Sequence, residues 1–264
     1  MVHAKANFPV ALLLLLLCAG TRSASSSEDE GAVVELVQQS QRAGFQRHDF
    51  EKYIAAWDAN GQIVGGRLAH PGKYDTKLSR AQIEATRRLR FRAAPPTELA
   101  MSFSNVASQI EGDRAEVRYR TTIEGNGAVE VVDELYRLRK VNGEWKITEN
   151  RWWPVEMGRA DSPTKLDEAV WQAMDAQIAR LDQAGDLAAK ARALFSAFRF
   201  TEAYATAKSL TGDSPDDAEA WILRGRTALF AGDAEDAVSS YQKALAIDPA
   251  ANVPEFVQAD DPSE

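Results

Sequence analysis

The chain has 264 residues and a mass of 29.0 kDa, with 45% hydrophobic and 27% charged residues, enough for two ordinary domains that each bury a core. A formal charge of −8 and a pI near 5.1 argue against nucleic acid as a partner, because phosphate binding leaves a basic footprint. Beyond residue 27 the chain has no cysteine and two histidines, His48 and His70, which excludes a disulfide framework, cysteine zinc sites and multi-histidine metal centres, so no metal or cofactor is expected.

The acidity is uneven: Asp161 to Glu264 carries 19 Asp or Glu against 9 Lys or Arg, net −10, which leaves the first 160 residues at +2. Residues 1–27 are set aside, because Phe8 to Ala19 is a short leucine-rich run with Lys5 before it and small residues after it, and so resembles a secretory signal peptide. About 18 to 20 apolar residues are needed to span a bilayer, so cleavage is expected rather than a permanent span. The mature protein is then periplasmic or secreted. Cys18 with Ala19-Gly20 after it resembles a bacterial lipoprotein signal, although Leu17 stands where that signal has a small residue. Plain cleavage between about Gly20 and Ser27 is therefore expected, with acylation at Cys18, and membrane contact only through it, as the alternative.

Val33, Val34, Leu36 and Val37 give a helical stripe over Glu30 to Ala43 that ends at Gly44. Asp49 is placed to cap a second helix whose Phe50, Tyr53, Ile54 and Trp57 stand at i, i+3, i+4 and i+7. Asn60-Gly61 reads as a turn before a short strand over Gln62 to Leu68, broken at His70-Pro71-Gly72. Ser79 with Gln82 forms a capping box for a third helix that Pro95-Pro96 stops. From Glu98 to Pro154 the pattern alternates: Ala115, Val117, Tyr119, Thr121 and Ile123 share one face of a strand. Turns at Gly112-Asp113, Gly125-Asn126-Gly127 and Asn142-Gly143 divide the run into four strands of one curled antiparallel sheet.

Helices followed by a long curled sheet, with a Trp at the end of the second helix and Gly143-Glu144-Trp145-Lys146-Ile147 in the last strand, resemble the nuclear transport factor two-like superfamily. This is the cone shared by ketosteroid isomerases, SnoaL-type cyclases and many non-enzymatic binding domains. The resemblance covers about Glu30 to Met157 and assigns 28–158 to an α+β cone. It implies a pocket between the concave face and the helices, for which Trp57, Arg67, His70, Tyr74 and Arg151 are the candidate lining residues.

Ser162 and Pro163 suit the cap and first position of a helix whose face is Leu166, Val170, Met174, Ile178 and Leu181. After it, Trp221, Gly225, Gly232, Ala237, Tyr241, Ala244, Leu245 and Pro249 follow tetratricopeptide spacing, and a shift of 34 residues gives Leu187, Ala191, Ala203 and Pro215. An all-α helical-repeat domain is therefore expected over 162–252, with repeats at about 184–217 and 218–251 and an acidic tail over 253–264. Two repeats are few, so the 164–182 helix or the cone itself should cap them.

There is no Gly-rich phosphate loop and no Gly-x-Ser-x-Gly elbow. Val132, Glu134, Tyr136 and Leu138 share a face, as do Trp145, Ile147, Glu149 and Arg151. The resemblance implies a pocket carboxylate as general base in isomerases and cyclases, which makes Glu134, Glu149 and Tyr136 catalytic candidates, although no acid partner completes a set and a structural ion pair of Glu149 or Glu134 with Arg151 is preferred. The tryptophans read more readily as core than as pocket, His70 as a surface turn residue, and the arginines of 80–92 as a solvated face.

The expectation is an exported, non-enzymatic binding or scaffold protein. Its repeats hold a protein or peptide partner through residues such as Arg192, Arg199, Trp221, Arg224 and Thr227, and its cone holds a small apolar ligand or second partner. The alternative is a SnoaL-like isomerase, cyclase or lyase acting on a small hydrophobic carbonyl compound. A cone face used for dimerisation is a third, lesser reading.

Overall fold

The computed structural model describes residues 27–66, 76–92 and 99–257. The predicted signal, Cys18, Arg67, His70, Tyr74, Pro95-Pro96 and the end of the acidic tail lie outside the described residues.

Helix α1 (Ser27–Phe45) and the short α2 (Phe50–Ala55) lead into β1 (Trp57–Gly65), β2 (Thr76–Ser79) and α3 (Arg80–Arg92). The capping chemistry read from the sequence is present: Asp49 accepts from the Lys52 amide at 3.1 Å, and Ser79 and Gln82 exchange bonds at 3.0 and 3.4 Å. Strands β3 (Ala100–Glu111), β4 (Arg114–Gly125), β5 (Ala128–Val141) and β6 (Glu144–Arg159) follow as a meander. Asn126-Gly127 and Asn142-Gly143 adopt positive φ at both positions, as two-residue hairpin turns require.

The sheet is mixed, which corrects the antiparallel expectation. Its order is β2-β1-β6-β5-β4-β3, with β1 running parallel to β6, and β1 begins at Trp57 rather than at Gln62. A second correction concerns Ser162-Pro163. These residues start β7 (Ser162–Lys165), which pairs with the end of β6, and the helix begins later, at α4 (Glu168–Ala184), under an Asp167 cap.

Inside the cone, Val33 and Val37 of α1, Ile83 of α3, and Val117, Tyr136 and Ile147 of the sheet are almost wholly buried. Burial of that kind stabilises by about 1.5–3 kcal/mol per large apolar side chain. The C-terminal half is helical: α4, then α5 (Leu187–Ser196), α6 (Phe200–Asp213), α7 (Ala218–Ala231) and α8 (Ala234–Ile247). Helices α7 and α8 lie close because Gly225 leaves room for the Tyr241 ring, and Ala228, Ala237 and Ala244 are fully buried beside it. Of the residues expected to face a partner groove, Thr227 is buried, Arg199 pairs with Asp175 at 3.2 Å and Arg224 is bonded to Asp236.

The helical half is packed on the cone. The Trp152 ring of β6 lies 5.8 Å from Phe198 and 6.3 Å from Phe200, Arg90 lies over Phe230 at 4.6 Å, and Gly232 sits against Leu78 and Gln82. A Cβ at Gly225 would lie 2.9 Å from the Tyr241 ring, so Gly225→Val is expected to destabilise the protein by about 1–3 kcal/mol, read as a lower urea midpoint with an unchanged slope.

Candidate ligand cavity

Strand alternation would place Glu149 and Arg151 on the face of Ile147. The register prevents it: Leu138 pairs with Ile147 but Arg137 pairs with Glu149, so Thr148 is an extra residue and the faces exchange. Thr148 Oγ1 donates to the Arg137 carbonyl at 3.0 Å across this bulge. Beyond it Asn150 and Trp152 point into the cone, while Glu149 and Arg151 lie outside it. There Glu149 accepts from Arg137 at 2.6 Å, Arg151 at 2.8 Å and Gln62 at 2.6 Å. Burial alone would raise the Glu149 carboxyl, but these donors hold it below its usual value. It is a structural ion-pair residue.

Glu134 faces inward. Its Oε1 accepts from Thr121 at 2.6 Å, and its Oε2 accepts from Tyr136 at 2.8 Å, Gln41 at 2.9 Å and Asn150 at 3.1 Å. Desolvation raises the Glu134 carboxyl; the Thr121, Tyr136 and Asn150 hydrogen bonds oppose this without cancelling it. Burial, and then the Glu134 charge, push the Tyr136 hydroxyl well above its ordinary range, so it stays a donor. Gln41 also donates to that hydroxyl.

This cluster is the floor of a cavity of about 440 Å³ between the sheet and α1–α3 on one side and α4–α7 on the other. The volume falls within the range of small-molecule sites, about 300–1,000 Å³. Its roof is aromatic: Phe195, Phe198, Phe200 and Phe230 come from the helical half and contact one another with ring centroids 4.9–5.9 Å apart. Phe198 holds a left-handed backbone, φ +58°, between α5 and α6, which turns its ring onto Trp152 and Trp171.

The wall is charged. Ile83, Arg87 and Arg90 stand at i, i+4 and i+7 of α3, and because Ile83 is fully buried the two arginines are carried into the cavity wall. The solvated-face expectation holds for Arg88, which pairs with Glu84 and Glu51, and fails for Arg87 and Arg90. Burial, with Arg87 beside it, pushes Arg90 down to about 9, so it remains protonated at neutral pH. Glu130, also in the wall, is raised by burial, while Arg90 and Arg87 pull it back.

Among the residues singled out from sequence, Glu134 reaches the cavity and Tyr136 supports it from beneath. Trp57, a candidate lining residue for which core is the preferred reading, is core, buried at the start of β1 against Tyr53 at 5.9 Å. Arg151, also a candidate to line the pocket, is on the outer face. A second hollow, of about 480 Å³, lies at the other end of β3–β6. Its Glu116 is already bonded to Arg118 and lies 3.4 Å from Arg137.

No protein-family model matches the chain, and no curated protein matches it in sequence. Solved structures do resemble it in fold. An NTF2-like protein of unknown function from Pseudomonas putida is 12% identical, covering 54% of this chain and 96% of its own, with a TM-score of 0.42. A second, from Shewanella baltica, is 18% identical over 49% and 96%, with a TM-score of 0.38. An NTF2-like protein with a cystatin-like fold from Novosphingobium aromaticivorans is 20% identical over 51% and 86%, with a TM-score of 0.40. The likeness is to an NTF2-like cone over about half the chain and is one of fold alone.

Because Glu134 titrates above its unfolded value, folding favours its protonated form. Its contribution is fully present below the unfolded pKa and is lost as pH rises through the folded one. Glu134→Gln keeps the shape and removes that loss. The difference in urea midpoint between variant and parent should therefore move in the variant's favour from pH 4 to pH 8; a constant difference would contradict the assignment.

Proposed function

We propose that the protein binds a small, largely apolar molecule in the cavity between the cone and the helical half, as an exported binding protein rather than an enzyme. The carrying observation is the cavity itself: an aromatic roof over a floor whose carboxylate already has four hydrogen-bond donors. A base so fully engaged is arranged to hold a polar network together. Export belongs to the same reading and rests on the leucine-rich run at the start of the sequence.

The α5–α8 hairpins are read as tetratricopeptide repeats that present a surface to a protein partner. The small residues at Gly225, Ala228, Ala237 and Ala244 support this. With Thr227 buried and Arg199 and Arg224 engaged in ion pairs, Arg192 and Trp221 are the residues of that set left to face a partner.

The neutral dye Nile red should brighten on titration into the protein, and Val132→Trp or Ile123→Trp, each filling the cavity, should abolish the increase while the circular dichroism stays native. An undiminished signal in both variants would remove the reading.

One observation favours an isomerase, cyclase or lyase as the second reading: burial raises Glu134 toward neutral pH at the floor of an apolar cavity. On that reading Glu134→Gln lowers turnover of a ketone substrate by about 10²–10⁴-fold, the usual contribution of a general base. Turnover within twofold of the parent would end it.

A further inference from the structure

Resting on the cavity reading above, we infer that the ligand is an amphipathic anion, with an apolar body under the phenylalanine roof and a single carboxylate or similar oxyanion against Arg87 and Arg90. Three features lead there.

The first is an unmet donor. Arg87 lines the cavity with its guanidinium 5.1 Å from the Phe45 ring and hydrogen-bonded to Tyr53, while its Nη1 is buried with no hydrogen-bond partner among the described residues. A buried donor on a charged group left unpaired costs about 1–3 kcal/mol or more, and an arginine is retained in such a place at lower cost when an acceptor arrives from outside. The guanidinium fork matches an oxyanion with two parallel bonds.

The second is charge. Arg87, Arg90 and Arg226 face the cavity against Glu130 and Glu134. Glu134 is committed to its four donors, and Glu130 meets Arg90 and Arg87 through charge alone, without a hydrogen bond. Three cations thus face two acids, so the wall carries an excess positive charge even with both acids ionised, and burial shifts each acid toward its neutral form.

The third is the arrangement of polar and apolar parts. Arg90 lies over Phe230 at 4.6 Å and Arg226 over Phe195 at 4.7 Å, so the cations border the roof. A molecule whose charged end lies beside its apolar body fits that border.

The test uses three ten-carbon probes with one tail and different heads: decanoate, decanol and decylamine, titrated calorimetrically into the purified protein at pH 7.5. Decanoate should bind about tenfold or more tighter than decanol, the size of one charge-assisted hydrogen bond, and decylamine weakest. Arg87→Met and Arg90→Met, each replacing a half-buried cation by an apolar chain of similar length, should bring decanoate down to the affinity of decanol and leave decanol within twofold. Decanoate no tighter than decanol in the parent overturns the anion inference and leaves the apolar cavity standing. Failure of all three probes removes both. Loss of decanol binding along with decanoate in both variants would mean that the arginines only shape the cavity, which also overturns the inference.

Discussion

At Thr148, β6 carries one residue more than the β5 segment opposite it, and that extra residue decides which side chains enter the cone. A strand has a period of two, so a single inserted residue exchanges its faces from that point on. Without the bulge, Glu149 and Arg151 would stand beside Tyr136 and Glu134, and the cavity would hold a closed ion pair. With it, Asn150 supplies a donor to Glu134, and Trp152 reaches Phe198 and Phe200. A second step, between Val131 and Val132, comes at Val155, and Met157 returns to the inner face opposite Glu130. The two bulges also add twist, which lets a sheet of long strands curl around α1 and α3.

The same register couples the two halves. Trp152 is packed so closely over Gly65 that a Cβ there would lie 2.4 Å from the indole, so the ring has one place to go, toward the helices. Phe198 meets it from a strained backbone, which persists only because the surrounding rings fix it. Arg90, Phe230, Leu89 and Gly232 extend the contact along α3. The helical half thus supplies the roof of a cavity whose floor and wall belong to the cone, and this roof shields Glu134 and the Nη1 of Arg87 from bulk water. Low local polarity strengthens every hydrogen bond in the floor and makes an unpaired donor in the wall more costly.

Much of this was legible in the sequence and some was not, for identifiable reasons. Strand alternation in β4, the Asn-Gly turns, the Asp49 cap and the Ser79–Gln82 box were all readable because they depend on local chemistry. The parallel β1–β6 pair was not, since β1 follows its helix with no crossover pattern and pairs with a strand far along the chain. Trp57 belongs to the core because β1 starts at it, which the aromatic pattern favours but cannot place. The arginines of α3 spread around the helix when counted together, and only the buried position of Ile83 sorts Arg87 and Arg90 from Arg88. The phenylalanines between 195 and 200 were visible as composition, but nothing local says that they close a cavity in another part of the chain.

The division of charge along the chain then acquires a physical meaning. The residues from Asp161 onward carry a net −10 and form the roof, whereas the segment before them is close to neutral and holds the arginines of α3. An acidic exterior repels an anion at long range, but at physiological salt that field decays over about 8 Å, so it affects encounter more than binding. Within the roof the balance is set by groups a few ångströms away: two guanidiniums on one helix, one acid engaged by four donors and another that burial favours in its neutral form. Attraction is therefore confined to the interior, and an anion without an apolar body has little to hold it there. The aromatic roof and the arginine wall select together, because each supplies what the other cannot: the rings supply affinity without direction, and the guanidiniums supply direction at a site that only an apolar body can fill.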